Sequence, residues 1–202
     1  MPSYLFAAVR RAAAAVALLA VFCGAAMTAA VLTTEDAATW SAALYQGVVV
    51  GLVLGAVLLA SVALSNTWQA ARTASRHGLT LVAEAATVPC TAEFRAPVPS
   101  GTTPYQLSDS VLHTLKKARA PRIGEVKEFT HGRLTLVFTD ALACPVRFHI
   151  SIGTDRDTAT VIMEARPVSP RRRLDGGASW SVLTALEPLV SKAVHAETAP
   201  ES

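Results

Sequence analysis

The side chains able to do chemistry are few and scattered. Cys90, His131, Cys144 and His149 are the candidates for holding a metal ion, and Asp140 and Glu164 are the acids that could share a site with His149. Zinc sites use thiolate and imidazole donors in short, characteristic spacings. Cys144 and His149 do not form such a pair, and two expected turns lie between the other donors. An acid standing alone on a strand is ordinarily solvated, so general acid–base work by Asp140 or Glu164 has little behind it. There is no glycine-rich loop followed by Lys-Ser/Thr, no GxSxG, no HExxH and no CxxC. The reading is a protein that is not an enzyme and has no metal, no cofactor and no catalytic residue.

The sharpest charged feature is Arg171-Arg172-Arg173. Bases beside an anionic bilayer add about 1 kcal/mol each, but a lipid-binding cluster usually has about four to eight of them. Contact with headgroups or an acidic partner competes here with a plain solvated loop. Asp175-Gly176-Gly177 after it reads as a flexible turn with little claim to a phosphate. Three cysteines, at 23, 90 and 144, make no disulfide framework and read as free, half-buried thiols in a reducing compartment.

Charge is unevenly distributed along the 202 residues. Residues 12–64 contain only Glu35 and Asp36, while the rest of the chain is ordinary in composition. The net charge of +3 is too mild to imply nucleic acid. Ala12 to Leu32 is uncharged and would reach about 32 Å as a helix, the thickness of a hydrocarbon core. Ala42 to Leu64 is also uncharged and long enough to span. Arg10-Arg11 before the first run also fits a signal peptide, with Ala29-Ala30 as small cleavage-site residues. The length of that run, and the second run after a short loop, favour a retained helix.

Gly47, Gly51 and Gly55 give the second span a bare stripe, and Ala20, Gly24 and Thr28 give the first a similar one. In lipid, helices associate through close backbone packing, which small residues permit. The stripe serves either the inside of the hairpin or a second subunit. Arg10, Arg11, Arg72 and Arg76 flank the spans, and the loop between them has no base, so the positive-inside rule puts both termini in the cytoplasm. Trp40 and Trp68 suit the two interfaces, and Arg72 and Arg76 suit headgroups.

The soluble part alternates between patterns. Residues 66–78 read as a linker helix stopped by Gly78, and Leu79 to Thr87 as a strand. Cys90 to Arg95 alternates as a strand. Pro104 to Ala118 is a helix with Leu107, Val111 and Leu115 inward. Ile123–Thr130, Arg133–Thr139, Val146–Ile152 and Thr158–Arg166 form an antiparallel meander. Leu134, Leu136, Phe138, Val146, Phe148, Ile150, Ile152, Val161 and Met163 share its apolar face. Arg133, Thr135, Arg147, His149, Ser151, Thr160, Glu164 and Arg166 share the wet one. Ser179 to His195 is the last helix, which Pro188 should kink or split.

The expected fold is a two-helix transmembrane hairpin followed by a cytoplasmic α+β domain (strand-helix-four-stranded antiparallel meander-helix). The divisions are a hairpin over 1–65, a linker helix over 66–78, the α+β domain over 79–195 and a frayed tail over 196–202. The expected function is a multi-pass inner (plasma) membrane protein, a non-enzymatic interaction or accessory subunit. Its partners would be the lipid bilayer and a second copy or another membrane protein met through the spans. The alternative is a tethered module for a lipid or apolar ligand, because a long last helix against such a sheet is reminiscent of helix-grip folds.

Overall fold

The computed structural model describes residues 2–34, 39–76, 78–86, 88–118, 121–139, 144–169 and 174–196. Glu35, Asp36, Asp140, Arg171, Arg172, Arg173 and the tail after Ala196 lie outside them, as does the side chain of Arg76. The chain forms two compact units, residues 1–68 and 69–202.

The first unit consists of α1 (Pro2–Thr34) and most of α2 (Trp40–Arg76). Both helices outrun the apolar runs. Pro2 stands at the first helical position, where its missing N–H removes nothing, and the Ala-rich residues after it are strong helix formers. Ser65, Asn66 and Thr67 do not end α2, because their side chains donate back to the carbonyls of Val62, Val62 and Ala63. The helix stops in a Schellman motif. Gly78 has φ +65°, Leu79 N donates to Ala74 O at 2.8 Å, and Gly78 N donates to Ser75 O at 3.3 Å.

The second unit begins with the last turns of α2, where Ala70, Thr73 and Ala74 are buried. Leu79 to Thr87 is not a strand. Residues 79–82 have no sheet partner, and Ala83–Ala86 close a single 3-10 turn with Ala85 and Ala86 buried. Short runs of Ala and Glu suit a helical turn better than a pleat.

The remaining elements are β1 (Cys90–Pro97), α3 (Pro104–Lys117), β2 (Ile123–Thr130), β3 (Arg133–Phe138), β4 (Val146–Asp155), β5 (Thr158–Pro167) and α4 (Ala178–Ala196). They build one antiparallel sheet in the order β1-β5-β4-β3-β2. The meander is the one its alternation implies. The tertiary addition is β1, which takes the edge beside β5, Cys90 opposite Ala165 through Pro97 opposite Thr158. Gly132 makes the β2–β3 turn at φ +74°, and its carbonyl accepts from Ile152 N at 2.6 Å. A Cβ there would strike the Ile152 carbonyl, so the turn needs glycine twice over.

Both α3 and α4 lie on one face of the sheet and touch each other. α3 starts in a capping box in which Thr103 Oγ1 accepts from Gln106 N and Gln106 Oε1 accepts from Thr103 N. Leu107, Val111 and Leu115 join Phe138, Phe148, Ile150 and Met163 in the core. Pro188 does not split α4. The helix runs through it, because Val182, Leu186, Val190 and Val194 anchor both halves in the same core.

The residues read as a flexible turn before α4 are instead tightly held. Asp175 is 2% exposed, its Oδ1 accepts from Gly177 N at 3.0 Å, and its Oδ2 accepts from Ser179 N at 2.8 Å. The carboxylate fills the anion position at the head of α4. Gly177 packs against the end of α2, where an added Cβ would meet Ala70 Cβ at 3.3 Å. Asp175→Ala should destabilise the second unit by about 2–3 kcal/mol, since two charge-assisted bonds are lost and two buried donors are left unpaired. Urea unfolding of the full chain followed by Trp fluorescence measures it. A change within the error of the fit would show that the cap contributes nothing.

Candidate functional site

The sequence marks two places, the small-residue stripes of the helices and the wet face of the sheet. In the first unit the stripes meet. A Cβ on Gly24 would lie 2.8 Å from the Gly47 carbonyl oxygen. On Gly51 it would lie 2.8 Å from the Ala20 carbonyl oxygen, and on Gly55 2.9 Å from Ala20 Cβ. Thr28 sits against Gly47, and its hydroxyl donates to Gly24 O at 3.0 Å, which satisfies the hydroxyl inside its own helix. Tyr4, Ala8 and Ala12 continue the buried line toward the start of α1. All six small residues therefore belong to one antiparallel helix–helix contact.

Most of the large apolar side chains on these helices face outward. Only 6% of the most apolar stretch of α1 and 17% of that of α2 is buried within the protein, and both helices are long and apolar enough to cross a membrane. Leu18, Val21, Phe22, Leu52, Val53 and Val57 are exposed. Beside the contact runs an apolar groove of about 350 Å³ lined by Val21, Ala25, Leu44, Val48 and Leu52 over the small residues. Trp40 and Trp68 are exposed at 65% and 62%. The 28 residue steps from Trp40 to Trp68 span about 42 Å of helix, close to the full thickness of a bilayer with its headgroups. Arg72 is exposed near the end of α2.

In the second unit the sheet separates the proposed metal donors. Cys90 and Cys144 are buried on the core side, and the Cys144 thiol lies 3.9 Å from the Asp175 carbonyl oxygen. His131 is in the β2–β3 turn, with its ring 5.4 Å from that of Tyr105. His149 is on the opposite, helix-free face. Among the described residues no three His, Cys, Asp or Glu side chains converge.

The register arranges the outer face in rows. Thr91, Glu164, His149, Thr135 and Glu128 stand side by side across all five strands. The Thr135 hydroxyl donates to Glu128 Oε2 at 3.3 Å and lies 2.9 Å from His149 Nδ1. A hydroxyl has one proton, so with that proton on the Glu128 side the imidazole Nδ1–H donates to Thr135. His149 is thus oriented by Thr135. Glu164 is its direct neighbour on β5 but pairs with Arg166 at 3.7 Å. The next row sets Arg166 opposite Arg147, followed by Val137 and Glu125. Arg147 is partly buried, and its Nε is fully buried with no hydrogen-bond partner.

The alternation placed these residues on one face, but the Glu128–Thr135–His149 chain was missed. Its signal is weak in sequence because β2 carries two bulges, at Ile123/Glu125 and at Val126/Glu128, which break the alternation just where Glu128 is set.

The chain matches no family model, no curated protein and no solved structure. Its own geometry is the basis for a functional reading.

Proposed function

We propose that the protein is a multi-pass inner-membrane protein. In this reading α1 and α2 form a transmembrane hairpin, both termini are cytoplasmic, and the α+β unit serves as a non-enzymatic interaction or accessory domain. The observation that carries it is the pair of long helices, tightly packed on each other through small residues yet covered with apolar side chains. Water is a poor solvent for that surface, and a core helix of a soluble domain would be mostly buried. The tryptophan spacing supports the span, and the bases at 10, 11, 72 and 76 support the orientation. The outward apolar faces are the surfaces available to bilayer lipid and to membrane partners.

Reporter fusions test the orientation. A fluorescent reporter after Ser202 should be bright, and an export-dependent phosphatase inserted after Thr39 should be active. The reverse pattern would overturn the cytoplasmic placement, and activity of neither reporter in the membrane fraction would count against the hairpin.

The helix-grip alternative is favoured by the strand order, in which β1 closes beside the last strand under a long C-terminal helix. Against it, Phe138, Phe148 and Met163 are fully buried in the core between sheet and helices, and Trp180 packs against that core. Those are the side chains that would have to leave room for a ligand. Native mass spectrometry of the full chain decides between them, since a fragment starting at residue 79 would lack the turns of α2 that meet Gly177. A lipid retained after the micelle is stripped, and lost on Met163→Trp, would revive the alternative.

A further inference from the structure

Among the described residues, Arg147 Nε is a charged-group nitrogen that is fully buried without a hydrogen-bond partner, and Arg166 stands beside it. The two residues are direct cross-strand partners on β4 and β5, and both are on the helix-free face. Like charges in that position repel and weaken a sheet. A guanidinium has five donors and is always charged, so a fully buried Nε without an acceptor has a larger cost than a neutral orphan. Neither the Lys127–Glu125 nor the Arg166–Glu164 ion pair reaches Arg147. The Arg166–Glu164 pair is long and half exposed, which leaves the Arg166 guanidinium free to turn toward another anion.

We propose that Arg147 and Arg166 form a binding site for a phosphate group. A carboxylate offers two oxygens and fills one guanidinium fork. Two forks side by side on adjacent strands match the larger set of acceptor oxygens on a phosphate. The bound anion would cancel the repulsion between the two side chains, and a turn of the Arg147 guanidinium toward it would give the now-buried Nε an acceptor. His149, two residues along β4 and held by Thr135, borders the site, and Val137 forms its apolar flank on β3. The phosphate has two possible sources, a free phosphate compound or the headgroup of an anionic lipid. The second source is suggested by the chain itself, since the apolar run ends at Leu64 and this unit begins at Gln69.

Thermal unfolding of the full chain in a mild non-ionic detergent tests the site. The probes are inorganic phosphate and pyrophosphate at constant ionic strength, and mixed micelles of phosphatidylglycerol against phosphatidylcholine. The wild type should show a saturable rise in Tm with at least one phosphate probe. In Arg147→Gln and Arg166→Gln the half-saturating concentration should rise about ten-fold or more, the effect of removing a charge-assisted bond. Arg133→Gln, on the same face but away from the pair, should respond as wild type. A response to the soluble anions identifies a free phosphate ligand, and a response confined to phosphatidylglycerol identifies a headgroup. In phosphate-free detergent Arg147→Gln should unfold no lower than wild type. A clear fall there would mean that the guanidinium is already satisfied within the domain, and would overturn the proposal. So would a wild type insensitive to every probe, or glutamine variants that respond as the wild type does.

Discussion

Gly51→Leu is expected to open the hairpin. A Cβ at position 51 already falls 2.8 Å from the Ala20 carbonyl oxygen, and a backbone atom cannot swing away as a side chain can. Overpacking of this kind costs about 1–3 kcal/mol in ordinary cores. A helix pair held by close backbone approach has no hydrophobic drive in lipid to offset that loss. The readout is disulfide formation in a variant with Cys23, Cys90 and Cys144 replaced by serine or alanine and with Ala8→Cys and Ala63→Cys added. Both positions are buried and already carry a Cβ, and the antiparallel register that sets Gly24 against Gly47 and Ala20 against Gly51 continues to them. Mild oxidation should give a fast-migrating intramolecular product, and adding Gly51→Leu should slow its formation about ten-fold or more. A product of twice the mass would mean that the stripe packs against a second chain instead.

This result bears on partner search as well. A stripe consumed inside the hairpin is not available to another subunit, so loss of an oligomer on Gly51→Leu would say little about where that subunit binds. Substitutions on the outward residues Val53 and Val57 are the informative ones, because they leave the inner contact in place.

The second large effect is expected at Phe148. Its side chain is fully buried near the start of β4, edge-on to Phe138 with ring centroids 6.1 Å apart, and it belongs to the core that receives both α3 and α4. Phe148→Ala should lower the stability of the second unit by about 3–5 kcal/mol, combining lost transfer energy with a cavity that the sheet cannot close. Since domains of this size have about 5–15 kcal/mol in total, the variant should sit near its unfolding threshold. Urea titration of the full chain by tryptophan fluorescence should show the midpoint falling with little change in slope. The same substitution separates the two functional readings. A domain that encloses a ligand beside Phe148 would tolerate the loss far better, and a change below about 1 kcal/mol would point to existing space there.

Much of the second unit was legible because its strands are half-buried. Val146, Phe148, Ile150 and Ile152 alternate with Arg147, His149 and Ser151, and a one-residue slip would exchange the whole set, so the pattern admits one register. α3 was legible from its periodicity, and its capping box and terminal lysines agree with it. The stretch from Leu79 to Thr87 was misread because alternation of Leu and Ala over so few residues carries no length information. A strand also needs a partner, and the position beside β5 went to β1. The split at Pro188 was overread because a missing hydrogen bond was weighed without the core that holds both sides of it.

The wet face shows the same division. Local alternation put Arg147, His149, Glu164 and Arg166 on one side, but which of them are neighbours depends on strand order and register across the sheet. That arrangement opposes two arginines and joins Thr135 to both Glu128 and His149. Asp175 is another such case. Nothing local distinguishes it from a turn residue, and only the docking of α4 aims backbone donors at both of its oxygens.

By itself the sequence determined the two long apolar helices, the small-residue stripes and the alternating meander, because each is a periodic property of residues close together in the chain. The tertiary structure decided that the stripes face each other, that β1 closes the sheet beside β5, and that two guanidiniums meet on its open face. Those are relations between residues far apart in the chain, set by which surfaces pack most closely.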